Sequence, residues 1–306
     1  MARIVVVGEG MVELAGGGGA TGWQLGFGGD TLNTAVHLAR LGDDVAYLTA
    51  LGTDPFSDDL RRAWAAEGVD TALVLTDPDR RPGLYAITND PDGERHFTYW
   101  RSDSAARRLF ALSGIGFALE VAARADLLIF SMISLAVLPA DGRAALFDLA
   151  TRVRAGGGRV AFDTNYRSAL WPDLADARAA HAAALRVTDI GLPTIEDEAA
   201  LAGPGGPVDV LTLWRAAGVG EVVVKRGPDG CIVDGVDVAP PVRLMPRDTS
   251  GAGDAFNAGY LHARLAGRSP AGAALAGHRL AGWVVMNRGA IPAINAEAPY
   301  AALTAG

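Results

Sequence analysis

Cysteine is almost missing from this 306-residue chain: Cys231 stands alone. No intrachain disulfide can form, so a reducing compartment is the expectation. Cys231 itself reads as a small buried hydrophobe in a strand. Long apolar runs are missing as well. Ile4-Val5-Val6-Val7 is far too short for a signal segment, and nothing later approaches the ~18 uninterrupted apolar residues of a membrane span. Positive charge is scarce: 27 Lys and Arg against 35 Asp and Glu give a net charge of −8, and no basic run stands out. That composition speaks against a nucleic-acid partner and, with the missing apolar run, against a membrane one; the cytoplasm is the expected setting. The five histidines (His37, His96, His181, His262 and His278) show no ligand spacing, which argues against zinc. Lysine is reduced to one residue, Lys225, every other basic side chain being arginine.

What remains is a globular composition, half hydrophobic and one fifth charged, enough for a sizeable core. Arg3–Val7 is a continuous apolar strand ending in Gly8. A helical period follows from Thr31 to Leu41, with Leu32, Ala35, Val36 and Ala39 on one face and Asp30 or Thr31 as cap. Val45–Leu51 reads as a strand and Phe56–Glu67 as a helix. The segments 71–76, 83–88 and 96–100 then form short strands without helices, divided by Asp-Pro-Asp-Arg and Asn-Asp-Pro-Asp-Gly turns. Alternation resumes from about Leu119: strands at 126–131, 159–163, 187–191 and 221–225, helices at 139–155, 173–185, 196–202 and 208–217. A hairpin at 231–239 precedes helices at 252–265 and 270–287. Such alternation predicts one α/β domain over residues 1–306, with a mostly parallel sheet carrying helices on both faces. A small antiparallel β lid is expected from about 10–27 and 71–101, with Gly16–Gly19 as a flexible turn.

The segment carrying most chemistry is Asp248-Thr249-Ser250-Gly251-Ala252-Gly253-Asp254. Gly251, Ala252 and Gly253 let successive amides converge just where a helix begins, making an anion site out of backbone. Asp254, in the first turn, could accept a proton from a hydroxyl attacking phosphorus; an acid is also favoured there simply for facing a helix N-terminus. The segment is not Gly-x-x-x-x-Gly-Lys-Ser/Thr, so the common nucleotide loop is absent. A dinucleotide fingerprint is absent too, because Val7-Gly8-Glu9-Gly10 is followed by Glu13 where a third glycine is needed. Tyr99 and Arg101, two apart, share one face of a lid strand. Arg101 and Arg167 offer planar forks suited to a carboxylate, and Tyr85 and Tyr99 a flat face with a hydroxyl, as an acidic sugar would require.

Asp248–Asp254 resembles the C-terminal signature of the ribokinase-like (PfkB) carbohydrate kinases. Gly28-Gly29-Asp30-Thr31-Leu32-Asn33-Thr34-Ala35 with Leu38–Gly42 resembles the other signature of that family, and Gly52-Thr53-Asp54-Pro55-Phe56 stands where the family has its own. Within the family, five stretches are similar to the 2-keto-3-deoxygluconate kinases: Gly8–Leu14, Gly83-Leu84-Tyr85, Glu94–Arg101, Phe162–Arg167 and Val222–Gly227. The likeness runs in order from Gly8 to about Ile291.

The resemblance implies a ribokinase-like fold and ATP-dependent phosphorylation of 2-keto-3-deoxy-D-gluconate at its 6-hydroxyl; another sugar acceptor, such as fructose, ribose or an epimeric sugar acid, is the alternative. It implies Asp254 as base, Gly251–Gly253 as anion hole, and Gly29, Asp30, Asn33, Tyr85, Tyr99, Arg101 and Arg167 around the acceptor. Nucleotide contacts would come from Asn165, Arg167, Lys225, Gly227, Gly230, Gly251, Gly253 and Asn287. Magnesium would arrive on ATP with Asp197 nearby through water, although Thr194 replaces the asparagine many relatives carry and Glu198 could substitute for Asp197. A monovalent cation such as K+ would sit near Asp248, and a homo-oligomer would form through the lid.

Overall fold

The computed structural model describes residues 3–16, 22–89 and 95–304. Its first strand, β1 (Arg3–Val7), is apolar from Ile4 to Val7 because both faces are covered: Ile4 and Val6 point into one core, Val5 and Val7 into the other. β2 (Met11–Gly16) and β3 (Trp23–Gly28) form a hairpin. α1 (Asp30–Arg40) leads to β4 (Asp44–Leu51), and α2 (Pro55–Ala66) to β5 (Val74–Thr76). β6 (Leu84–Asn89) and β7 (Arg95–Trp100) make a second hairpin. The chain continues through α3 (Ile115–Ala122), β8 (Leu127–Ser131), α4 (Met132–Val137), α5 (Ala140–Ala155), β9 (Arg159–Asp163) and α6 (Leu174–Arg186). β10 (Ile190–Gly191), α7 (Ile195–Ala202), α8 (Pro207–Ala216), β11 (Glu221–Lys225), β12 (Cys231–Val233) and β13 (Val236–Val238) follow. α9 (Ala252–Leu265), α10 (Pro270–Val285) and α11 (Tyr300–Thr304) close the fold.

Nine strands form one sheet in the order β13-β12-β11-β10-β9-β8-β1-β4-β5. It is parallel from β11 to β5, with β12 and β13 added antiparallel. α1, α9 and α10 contribute to the core on one face, and α5, α6 and α8 to the core on the other. A second sheet, β3-β2-β6-β7, joins the two hairpins through a parallel β2–β6 pairing. Its inner face carries Met11, Tyr85 and Ile87, which form a small cluster of their own. Its outer face leaves Trp23, Leu25 and Trp100 at least half exposed.

Three expectations change. Residues 71–76 do not join the lid: β5 begins at Val74 and runs parallel to Thr49–Leu51 at the main-sheet edge. β4, α2 and β5 are themselves a crossover unit, and Leu73 and Val74 are buried in the two cores. The strand expected at 187–191 shrinks to Ile190–Gly191, because α6 runs on: Val187 N and Thr188 Oγ1 both donate to Ala184 O. α4, which had no counterpart in the sequence reading, starts at Ser131, whose side chain caps the Ser134 amide while Ser134 caps back. The expected turn at 89–93 and the Gly16–Gly19 turn fall largely on 90–94 and 17–21, outside the described residues. Among the described residues no helix is long and apolar enough to cross a membrane.

Candidate active site

The carboxyl ends of the parallel strands, where ligands gather on open sheets, deliver Glu9 just past β1, Ser131, Asp163 and Lys225 to one side of the molecule. The lid sheet covers that side, and α9 points its N-terminus at it. Between them lies a cavity of about 550 Å³. Gly29, Asp30, Asn33, Tyr85, Tyr99, Arg101, Asn165, Arg167, Asp197, Lys225 and the whole Gly251–Asp254 run border it. Gly227, Gly230, Asn287 and Asp248 stand outside its lining.

Gly251 shows why the turn before α9 needs glycine. Its φ of 68° is left-handed, and a Cβ there would stand 2.5 Å from Ala290 Cβ. The loop turns there, and the first amides of α9 are left without intrahelical acceptors in a stretch that lines the cavity. Asp248 fastens the loop from behind: Oδ1 accepts from Ser250 N at 3.0 Å and Oδ2 from Gly289 N at 2.7 Å.

Asp254 is 8% exposed. Its Oδ2 accepts from Asn33 Nδ2 at 2.8 Å, and its carbonyl from Thr34 Oγ1 at 3.3 Å. Burial chiefly, and then the charge of Asp30, push its carboxyl up to about 8, while the Asn33 bond pulls the other way. Asp30 is raised too, again by burial first, with Ser131 Oγ donating to Oδ2 and Asn165 Nδ2 at 3.3 Å from the same oxygen. Asn165 adopts a left-handed φ of 23°, which asparagine tolerates better than most residues. α1 thus places residues 30, 33 and 34 along one helical face against the start of α9. One turn further, His37 Nε2 bonds Ala290 O at 2.9 Å, and its Nδ1 accepts from the Tyr300 hydroxyl at 2.8 Å. Burial lowers His37 to about 4, so the ring is neutral and donates through Nε2.

Lys225 ends β11 inside the protein. It is 7% exposed, with Nζ donating to Asp163 Oδ1 at 2.9 Å and to Asn257 Oδ1 at 3.0 Å. Asn257 Nδ2 closes the triangle on Asp163 Oδ2 at 2.8 Å. Asp163 and Asn257 were not singled out by sequence; the signal available was Asn257's place three residues after Asp254, hence on the same helix face. Asp197 has Oδ2 held by Thr194 Oγ1 at 2.7 Å and Oδ1 3.5 Å from Arg167 Nη1, and burial raises its carboxyl. Glu198, the alternative acid, turns inward to Thr164 and His181, at 2.8 and 3.1 Å, and does not line the cavity. In the lid, the rings of Tyr85 and Tyr99 lie 5.9 Å apart, with Phe97 stacked 6.2 Å from Tyr99. Glu13, beneath them, accepts from the Tyr85 hydroxyl.

A buried acid at the glycine-flanked start of a helix, under a lid of aromatic rings with Arg101 at its base, suits a phosphotransferase for a hydroxylated acceptor. Residues 1–297 match the pfkB family carbohydrate kinases, and the chain belongs to that family. It is 44% identical over 300 residues to the 2-dehydro-3-deoxygluconokinase of Escherichia coli K12, covering 94% of this chain and 96% of that one. Among solved structures, a PfkB protein from Polaromonas sp. JS666 superposes with a TM-score of 0.85 at 28% identity, covering 100% of both chains. A fructokinase from Vibrio cholerae O395, solved with fructose, ADP and a calcium ion, gives 0.82 at 26% identity, covering 100% of this chain and 98% of that one.

Proposed function

We propose that this carbohydrate kinase transfers the γ-phosphoryl group of ATP to the 6-hydroxyl of 2-keto-3-deoxy-D-gluconate. The observation carrying the reading is that Asp254, the Gly251–Gly253 amides, Arg101 and Arg167 face one cavity. Asp254 takes the hydroxyl proton, the oxygen attacks phosphorus in line, and ADP leaves with the electron pair of the broken P–O bond. The α9 amides stabilise the charge on the transferring group. Tyr85 and Tyr99 cover the sugar, Arg101 and Arg167 meet its carboxylate side, and Asp30 and Asn33 bind hydroxyls. Arg167, 3.5 Å from Asp197 and half exposed, suits a position between acceptor and nucleotide.

Lys225 and Asn165 lie towards the phosphates in this reading, with Gly227, Gly230 and Asn287 further along the nucleotide. Asp197, a cavity carboxylate on the Arg167 side, fits a magnesium ion that keeps most of its waters, and would hold it through one of them; the ion would neutralise phosphate charge. A K+ ion near Asp248 and pairing of two copies through the outer face of the lid belong to the same reading. The deciding experiment is a screen of purified protein with ATP against sugar acids and neutral sugars, with the phosphorylated product identified by mass. Turnover of fructose or ribose above that of the keto acid would move the assignment to the neutral-sugar alternative.

A further inference from the structure

Two charged side chains lie nearly out of reach of solvent at the base of the lid, and only one of them borders the cavity. Glu9, just past β1, has its side chain 1% exposed; Arg101, just past β7, has 9%. Arg101 lines the cavity and Glu9 does not. Arg101 Nε donates to Glu9 Oε2 at 2.7 Å. Nη2 lies 2.5 Å from the same oxygen, yet no acceptor is aligned with its hydrogens among the described residues. The guanidinium carbon sits 5.8 Å from the centre of the Tyr99 ring.

The slot holding Glu9 is tight. A Cβ on Gly83 would stand 2.7 Å from Glu9 Oε1 and 3.2 Å from Arg101 Cβ, so glycine at 83 is what lets the carboxylate enter. A buried ion pair contributes little stability that a well-packed apolar pair would not. What this pair does provide is direction, since an arginine tied through Nε loses the freedom to swing.

We propose that Glu9 is a positioning residue: it clamps Arg101 through Nε, so that the edge of the guanidinium turned away from Glu9 is presented, already oriented, to the acceptor. This rests on the acceptor role given to Arg101 above. Glu9 and Arg101 are together neutral, so Arg101 acts by aligned hydrogen bonds, and the positive charge facing an acidic acceptor falls to Arg167, whose side chain is 55% exposed.

The test is steady-state kinetics with 2-keto-3-deoxygluconate and ATP on E9A, E9Q, R101A and the E9A/R101A double variant, with melting temperatures alongside. E9A is expected to raise the acceptor KM roughly tenfold, the scale of one lost hydrogen bond to a charged group, and to leave the ATP KM within about twofold. E9Q, whose amide oxygen still accepts from Nε, is expected to recover most of that loss, which a purely structural defect would not show. The double variant is expected to match R101A, because Glu9 has nothing left to orient. An unchanged acceptor KM in E9A beside a raised one in R101A overturns the positioning role and leaves the acceptor assignment standing. So does a double variant worse than either single one. An unchanged acceptor KM in R101A removes both. Should E9A fail to fold, E9D carries the test: withdrawing the carboxylate by one methylene is expected to raise the acceptor KM, and no change overturns the proposal.

Discussion

Replacing Asp254 by asparagine separates chemistry from stability, and the two effects run in opposite directions. A general base is commonly worth about 10²–10⁴ in rate, so Asp254→Asn is expected to lower kcat by that order while ATP still binds. Stability moves the other way above neutral pH. Burial and the charge of Asp30 raise the Asp254 carboxyl from 3.8 to about 8. The folded protein therefore holds a proton that the unfolded chain releases. The stability this gives is complete below pH 3.8 and is lost as pH rises towards about 8, at roughly 1.4 kcal/mol per pH unit. Asparagine keeps the shape and the Asn33 contact but carries no charge to bury. The variant is expected to match the wild type near pH 4 and to unfold several degrees higher at pH 8.5, both without ligands, by calorimetry. The same titration predicts that wild-type kcat/KM rises through a midpoint near 8 in the free enzyme. Equal melting temperatures at pH 8.5, or a wild-type rate flat from pH 6 to 9, would refute the reasoning about burial.

Arg167→Ala is expected to lower kcat as well as affinity and to raise the share of ATP lost to hydrolysis, read against controls without acceptor. Arg167→Lys recovers only part of this, because a point charge cannot replace a planar fork, and wild-type behaviour of the lysine variant would remove the bridging role. Lys225→Met leaves Asp163 buried with Asn257 as its only remaining side-chain partner among the described residues; breaking a buried pair this way costs about 3–5 kcal/mol, seen as a lowered denaturant midpoint at pH 7, and an unchanged midpoint refutes the pairing. Trp100→Glu with Leu25→Glu puts charge on the exposed outer face of the lid; sedimentation should then show a smaller species than the wild type, and equal masses would detach the lid from assembly.

Much of the fold was legible because local pattern and burial agree. The unbroken apolar β1, the period of α1 and the Gly-rich start of α9 each say what covers them, and the structure has all three. What was not legible was α4 and the partner of β5. α4 depends on a reciprocal cap between Ser131 and Ser134; the strand read at 71–76 is present as β5, but its place beside β4 rests on a crossover through α2.

At the candidate site, sequence by itself determined the residue types and their local settings: a glycine-flanked helix start, an acid in its first turn, a tyrosine and an arginine on one lid strand face. Those follow from backbone conformation and from periods of 2 and 3.6, which a chain carries within a few residues of itself. Only the tertiary structure decided the state of each charge. Glu9 and Arg101, Lys225 and Asp163, and Asn33 and Asp254 are distant in sequence, and they meet because strand ends and helix starts converge at one edge of the sheet. Whether a carboxylate is free, paired or pushed towards neutrality depends on the water removed around it and on the charges brought near, and both are properties of packing, not of neighbours along the chain.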